Sequence, residues 1–226
     1  MEAPTPIASD STIREEITED IEFSFKYILA KNLDDIKYFD EDKAKIWSNN
    51  ILNEAKKYFC EKFPNYDLFL FNSIYPKNIY FSSKQYSISV TKTDWCNVLN
   101  YNSENIYSAL YYFFYKHYNL TYNIEDIEPE IIQKGNEILE KHLEGKKFNY
   151  SKSLEDCSNI NIEYINYILS KENKLRCYAI CKIYDKPIKG KYVFKYISQG
   201  KSICSKLFNT YINNKLICRH FLFFFK

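Results

Sequence analysis

The sequence predicts an α+β protein built as two tandem copies of one unit, each unit being two helices and a four-stranded antiparallel sheet. Three observations lead there. Apolar residues recur first at helical spacing and then at alternating spacing. That order, two helices and then four strands, occurs twice. Short matching segments also recur at a nearly constant offset of about 110 residues, the signature of an internal repeat.

Taken in order, residues 1–11 contain Pro and Ser and read as a disordered N-terminus. Ile13, Ile17, Ile21, Phe25 and Ile28 step by three and four, which predicts a helix over Thr12–Ala30. Ser11 or Thr12, with Glu15 or Glu16 downstream, is its expected capping box. A second helix spans Asp40–Glu61, with Ile46, Trp47, Ile51, Ala55, Tyr58 and Phe59 near one face, and Pro64 ends it. The period then becomes two. Tyr66–Tyr75 sets Leu68, Leu70, Asn72 and Ile74 on one face, and Phe69, Phe71, Ser73 and Tyr75 on the other. Ile79–Trp95 is β-rich with a bend expected near Ser82–Ser83, and Ser103–Tyr118 is aromatic and reads as strand in its second half.

After a connector at Thr121–Pro129 the pattern restarts. Ile131, Ile132, Ile138, Leu139 and Leu143 predict a helix ending near Gly145. Leu154, Ile162, Ile165, Ile168 and Leu169 predict another over Ser153–Ser170. Strands follow at Leu175–Tyr184, Gly190–Ser198, Lys201–Asn209 and Asn213–Phe225. The recurrences are ILAKNL (Ile28–Leu33) with ILEKHL (Ile138–Leu143), and KYFDEDK (Lys37–Lys43) with KKFNYSK (Lys146–Lys152). SIYPK (Ser73–Lys77) matches KIYDK (Lys182–Lys186), and SIS (Ser87–Ser89) matches YIS (Tyr196–Ser198). The expected division is a first domain over 12–120 and a second over 121–226.

Composition narrows the function. A net charge of +2 gives no electrostatic case for nucleic acid or a membrane surface. The four glycines, Gly135, Gly145, Gly190 and Gly200, form no phosphate-cradling loop. Seven cysteines without a C-x-x-C, and an N-terminus without a basic or apolar leader, predict reduced thiols in the cytoplasm. No apolar run is long enough to span a bilayer, and the terminal FLFFF reads as a buried strand. The triplets at Asn119 and Asn149 read as chance glycosylation matches.

Candidate chemistry is sparse. Cys177, Cys181, Cys218 and His220 would form a zinc site only if their strands were neighbours and all four converged. Buried, inert cysteine is the preferred reading. His117, His142 and His220 are read as structural, and no catalytic residue, metal or cofactor is assigned. YYFFY (Tyr111–Tyr115) and FLFFF (Phe221–Phe225) are read as core rather than base-stacking platforms, because flanking charge is sparse. Residues 182–206 hold seven lysines against Asp185 alone. They are read as a solvated edge or a surface for an acidic partner.

The second helix and the strand after it carry a family resemblance. Lys43, Trp47, Ser48, Asn50, Ile51, Leu52 and Glu54, followed by Tyr66–Tyr75, resemble the Tctex-type dynein light chains. The second half is similar through IIQKGNEILEKHL, FNYSKS (Phe148–Ser153), LRCYAICKIY and the apolar terminal strand. It lacks the tryptophan, and TDWC (Thr93–Cys96) is at best a displaced echo of the family's Trp-Asp motif. The resemblance implies that Trp47 packs against the sheet. It also implies a two-fold dimer with an exchanged strand, which a tandem chain makes within itself as an intrachain pseudo-dimer. It further implies a non-enzymatic adaptor of the cytoplasm and cytoskeleton that adds partner segments to sheet edges. The expected partner is dynein intermediate chain or another motor or cytoskeletal protein, with tubulin a further candidate, and no nucleic acid or membrane. The expected contact residues are Ser87, Ile88, Ser89 and Val90, then Tyr196, Ile197 and Ser198, with Lys189, Lys191 and Lys195. Two other readings stay open: a structural microtubule- or axoneme-associated protein without motor binding, and an unrelated interaction module.

Overall fold

A computed structural model describes residues 10–88, 94–116, 127–172, 176–185, 193–198 and 203–225. Helices α1 (Asp10–Leu33) and α2 (Glu41–Lys62) precede strands β1 (Tyr66–Pro76), β2 (Phe81–Ile88), β3 (Trp95–Asn102) and β4 (Ile106–Lys116). Helices α3 (Glu128–Leu143) and α4 (Tyr150–Lys171) precede β5 (Arg176–Asp185), β6 (Val193–Ser198), β7 (Ile203–Ile212) and β8 (Leu216–Phe225). The fold is therefore mixed α+β with two four-stranded antiparallel sheets. Their strand orders are β3-β4-β1-β6 and β2-β5-β8-β7. Each sheet thus takes one edge strand from the other half of the chain. β6 lies against β1 with Ile197 opposite Leu70, and β2 lies against β5 with Tyr86 opposite Ala179.

Alternation along the central strands builds the layers. Leu68, Leu70 and Ile74 of β1, with Leu110, Tyr112 and Phe114 of β4, face α1 and α2 in one apolar core. Cys177, Ala179, Cys181 and Ile183 of β5, with Cys218, Leu222 and Phe224 of β8, face α3 and α4 in another. The opposite faces of these four strands meet in a third core of Phe69, Phe71, Tyr111, Phe113, Tyr115, Tyr178, Ile180, Phe221, Phe223 and Phe225. Phe69 and Phe223 approach to 4.5 Å between ring centroids, and Phe113 stacks on Tyr178 at 5.6 Å. Each buried ring contributes about 1.5–3 kcal/mol, so this aromatic layer is what holds sheet to sheet. The terminal FLFFF is buried, as the sequence predicts, with Phe221, Phe223 and Phe225 in this layer and Leu222 and Phe224 in the core under α3 and α4.

Burial recurs with the sequence offset. Ala44, Ser48, Ile51, Leu52, Ala55 and Phe59 of α2 are buried, and so are the residues 109 positions on: Ser153, Cys157, Ile160, Asn161, Tyr164 and Ile168. Ile21, Phe25, Ile28, Leu29 and Leu33 of α1 recur, 110 positions on, as Ile131, Gly135, Ile138, Leu139 and Leu143. Bulk is exchanged between the helices. Phe25 and Ala55 in the first half become Gly135 and Tyr164 in the second. A methyl at Gly135 would overlap the Tyr164 hydroxyl, so only glycine fits there. The caps recur as well. Asp40 Oδ1 accepts from the Lys43 N–H at 2.9 Å, and Asn149 Oδ1 from the Lys152 N–H at 3.1 Å. Asn149 is thus a helix cap, and Asn119 lies outside the described residues.

Several expectations need correction. Asp10, Ser11 and Thr12 are already helical, so neither Ser11 nor Thr12 caps α1; residues 1–9 lie outside the described residues. Ile46 is 59% exposed and off the buried face, and Trp47 is only partly buried at the rim of the first core. The helix turns Ser48 inward instead. Ser82 and Ser83 lie within a continuous ladder to β5 and make no bend. SIS and YIS are not structural counterparts. Ile197 faces Leu70, and the residue facing Leu70's counterpart Ala179 is Tyr86, so the strands correspond at an offset of 111. A two-residue slip keeps every side chain on its face, so sequence pattern does not expose it.

Candidate functional site: the open edge of the second sheet

β2 and β3 are edge strands of different sheets, and they approach each other. They meet where Ser87 Oγ lies 3.4 Å from Cys96 Sγ, and diverge toward Phe81 and Asn102. The gap is a cleft of about 520 Å³, with Tyr107 and Tyr111 among its lining residues. Tyr80 and Tyr150, 70% and 64% exposed, stand beside it.

Among the described residues no strand pairs with the cleft side of β2. The Asp185 N–H donates to the Tyr80 carbonyl at 3.1 Å. Antiparallel pairing alternates inward and outward groups, so the N–H and C=O of Phe81, Ser83 and Gln85 turn away from β5. α4 holds the strand from one face. The Asn161 Nδ2–H donates to the Lys84 carbonyl at 3.1 Å, and the Ser82 hydroxyl donates to the Tyr150 carbonyl at 2.8 Å. Asn161 Oδ1 in turn lies 2.9 Å from His220 Nε2. His220 is fully buried, and burial pushes its pKa down to about 3. It is therefore neutral, and Nε2 carries the proton given to Asn161.

Behind the cleft lies Lys182. Its Nζ donates to Ser73 Oγ at 2.9 Å and to the Tyr75 hydroxyl at 3.0 Å. It stands 4.4 Å from the Tyr111 ring centroid, and burial holds its pKa well below the usual lysine range. Lys182 is therefore not part of a solvated basic face, as the lysine run led us to expect. Arg176, by contrast, is a buried charge held in an ion pair. Arg176 Nε donates to Asp94 at 3.1 Å, Nη2 donates to the Lys116 carbonyl at 3.3 Å, and the guanidinium lies 4.2 Å from the Tyr115 ring centroid.

The expected contact residues divide between two edges. Ser87 and Ile88 lie on β2, opposite Tyr178 and Cys177, at the closed end of the cleft. Ser89, Val90, Lys189 and Lys191 lie outside the described residues, as does His117. Tyr196, Ile197 and Ser198 lie on edge strand β6, opposite Phe71, Leu70 and Phe69, with Lys195 opposite Asn72. The β6 edge is more covered than β2. Ile197 packs on the first core, the Ser198 carbonyl accepts from Lys56 at 3.1 Å, and the Tyr196 hydroxyl accepts from Lys206 at 2.6 Å.

The possible zinc set does not converge. β5 and β8 are neighbours, and Cys181 and Cys218 approach to 3.7 Å between sulfurs. Cys177, however, sits opposite Phe224, four residues along β5. Among the described residues no three His, Cys, Asp or Glu side chains are arranged to hold a metal ion. Burial raises the Cys181 and Cys218 thiols, which disfavours the thiolate.

Sequence reasoning missed Lys77, Tyr80, Lys84, Gln85, Asn100 and Asn102 as cleft residues. One signal was available. FSSKQYSI and WCNVLNYN are far more polar than the central strands, and polar, lysine-bearing strands mark sheet edges. Comparison with models of known protein families and with the sequences of curated proteins gives no match. No helix among the described residues is long and apolar enough to cross a membrane.

Proposed function

We propose that this chain is a non-catalytic adaptor of the dynein light-chain kind, an intrachain pseudo-dimer of two Tctex-like units that binds extended partner segments at its sheet edges. The reciprocal exchange of β2 and β6 carries the reading. It supplies each sheet with an edge strand borrowed from the other unit, the arrangement the Tctex resemblance implies.

Contacts between repeat counterparts support the pseudo-dimer. Tyr75 and Tyr184, 109 residues apart, share a hydrogen bond of 3.1 Å. Ser73 meets Lys182, and Phe69 lies 5.7 Å from Tyr178, again 109 apart. Residues that meet their own counterparts are what a two-fold axis produces. Linking the units keeps their effective concentration at ~mM and frees the two edges to differ.

An edge of this kind binds an incoming strand through backbone hydrogen bonds and selects it through side-chain contacts. The microtubule motor system, with dynein intermediate chain as partner, is the setting the resemblance suggests, in the cytoplasm or on the cytoskeleton. Affinity capture of the tagged chain from its own cells, read by mass spectrometry, tests it. Dynein intermediate chain in the native capture, and its loss with Ser83→Pro, is the expected result. Tubulin with structural microtubule proteins and no dynein would replace this reading with that of a cytoskeletal component.

A further inference from the structure

We propose that the β2–β3 cleft receives an acidic extended segment, its carboxylates two residues apart; this rests on the strand-addition reading above. Asn100 Oδ1 accepts from the Tyr107 hydroxyl, Asn102 Oδ1 from the Lys77 ammonium, and Gln85 Oε1 from the Tyr178 hydroxyl at 2.7 Å. Each amide oxygen thus already accepts from a protein donor, and each NH₂ is a donor available to a ligand. The lining also holds the Lys77 and Lys84 ammoniums and no carboxylate. Lys84 is exposed and makes no ion pair with a described residue. The cleft therefore presents amide and ammonium donors without an acid in its own lining, although Lys77 also borders a neighbouring pocket that holds Asp34, Asp35 and Glu104. The ligand that satisfies such a wall is an acceptor-only, negatively charged side chain.

Geometry fixes the spacing. A strand added to the outward groups of Phe81, Ser83 and Gln85 directs alternate side chains to one face. Carboxylates two residues apart then project together toward the donors. The closed end at Ser87 and Cys96 limits the ladder to a short segment. The corresponding region beside β6 is lined differently. There Phe194 and Phe208 pack on Phe221 at 5.4 Å each. Rings occupy positions that the first cleft gives to Ser83 and Val98, so the acidic preference belongs to the β2 edge.

The test uses fluorescein-labelled peptides of alternating Thr-Glu, Thr-Gln and Thr-Lys, with binding to the full chain read by anisotropy at low and physiological salt. The Thr-Glu peptide is expected to bind about tenfold tighter than Thr-Gln, Thr-Lys weakest, with the preference shrinking as salt screens it. Lys77→Gln with Lys84→Gln removes the preference, each lysine being worth roughly a two- to fivefold change. Ser83→Pro removes an outward N–H at an edge position, where proline is tolerated. It abolishes binding of every peptide while circular dichroism stays unchanged. Equal binding of the three peptides, insensitive to the lysines but lost in Ser83→Pro, overturns the acidic preference and leaves strand addition standing. Thr-Glu binding that needs the lysines and survives Ser83→Pro overturns strand addition. Failure of all three to bind overturns both.

Discussion

Replacing Asn161 and His220 by leucine, singly and together, probes the internal repeat and the anchoring of β2 in one experiment. Their counterparts in the first half, 109 and 110 residues back, are Leu52 and Leu110, both buried in the first core. The second half therefore keeps a polar pair where the first keeps an apolar one. Asn161→Leu strands the buried His220 Nε2–H, and His220→Leu strands Asn161 Oδ1. A buried polar group without a partner costs about 1–3 kcal/mol, so each single variant loses about 2 kcal/mol. The double variant strands neither group and removes His220 Nδ1, which is buried without a hydrogen bond, so that its remaining cost is the Asn161 bond to the Lys84 carbonyl, about 1 kcal/mol. It should lie close to the parent, which requires a coupling energy of roughly 2 kcal/mol or more.

The pH dependence has a definite sign. The folded-state pKa of His220, about 3, lies below its ordinary value of 6.5. The unfolded chain takes the proton first, so the stability present above pH 6.5 is lost as pH falls toward 3. The full loss is of the order of 5 kcal/mol. Urea unfolding across that window should give the double variant a flatter acid limb than the parent. Additive single costs, or an unchanged acid limb, would refute the pairing of Asn161 with His220 and the counterpart positions with it.

Other perturbations follow from the same structure. Gly135→Ala should destabilise by about 1–3 kcal/mol through overpacking, since its methyl overlaps the Tyr164 hydroxyl and ring; thermal unfolding measures this. Asp94→Ala removes the buried carboxylate paired with the Arg176 guanidinium, so chemical denaturation should register a loss of about 3–5 kcal/mol. Lys182→Met removes a buried amine whose folded-state pKa is depressed below the ordinary 10.5. In the parent the unfolded chain holds that proton more tightly, so stability rises with pH toward 10.5. The Met variant should lack the rise, which urea midpoints at increasing pH will reveal. Trp47→Ala, at the rim rather than the centre, should cost about 1–2 kcal/mol, well under the ~3–5 kcal/mol of a fully buried tryptophan; a larger loss would mean the rim is tighter than its partial exposure implies.

Element types were legible because each rests on local pattern. Period-two alternation in Tyr66–Tyr75 separates the residues that face the helices from those that face the other sheet. Capping chemistry at Asp40 and Asn149 recurs visibly in KYFDEDK and KKFNYSK. What was not legible depends on contacts across the chain. Nothing local in KIYDK says that Lys182 enters an aromatic interior, because that interior is assembled from Phe71, Tyr75, Phe81, Tyr111 and Phe194. The two-residue slip between β2 and β6 was hidden because it preserves facing. The cleft escaped notice because its donors acquire their orientation from hydrogen bonds between residues of different strands, such as Gln85 with Tyr178. Tryptophan placement misled in a simpler way. A large apolar residue on a polar helix was read as core, whereas Ser48 beside it turns inward and Trp47 covers the rim.

The central claim is that each sheet is completed, within one chain, by a strand from the other half. Isotope-filtered nuclear Overhauser spectra on a mixture of two differently labelled samples of the full chain test it most directly. Contacts between Leu70 and Ile197, and between Tyr86 and Ala179, are expected within single molecules and absent between them. Contacts of β2 with β1 as a local hairpin, or β1–β6 contacts only between differently labelled molecules, would contradict the account.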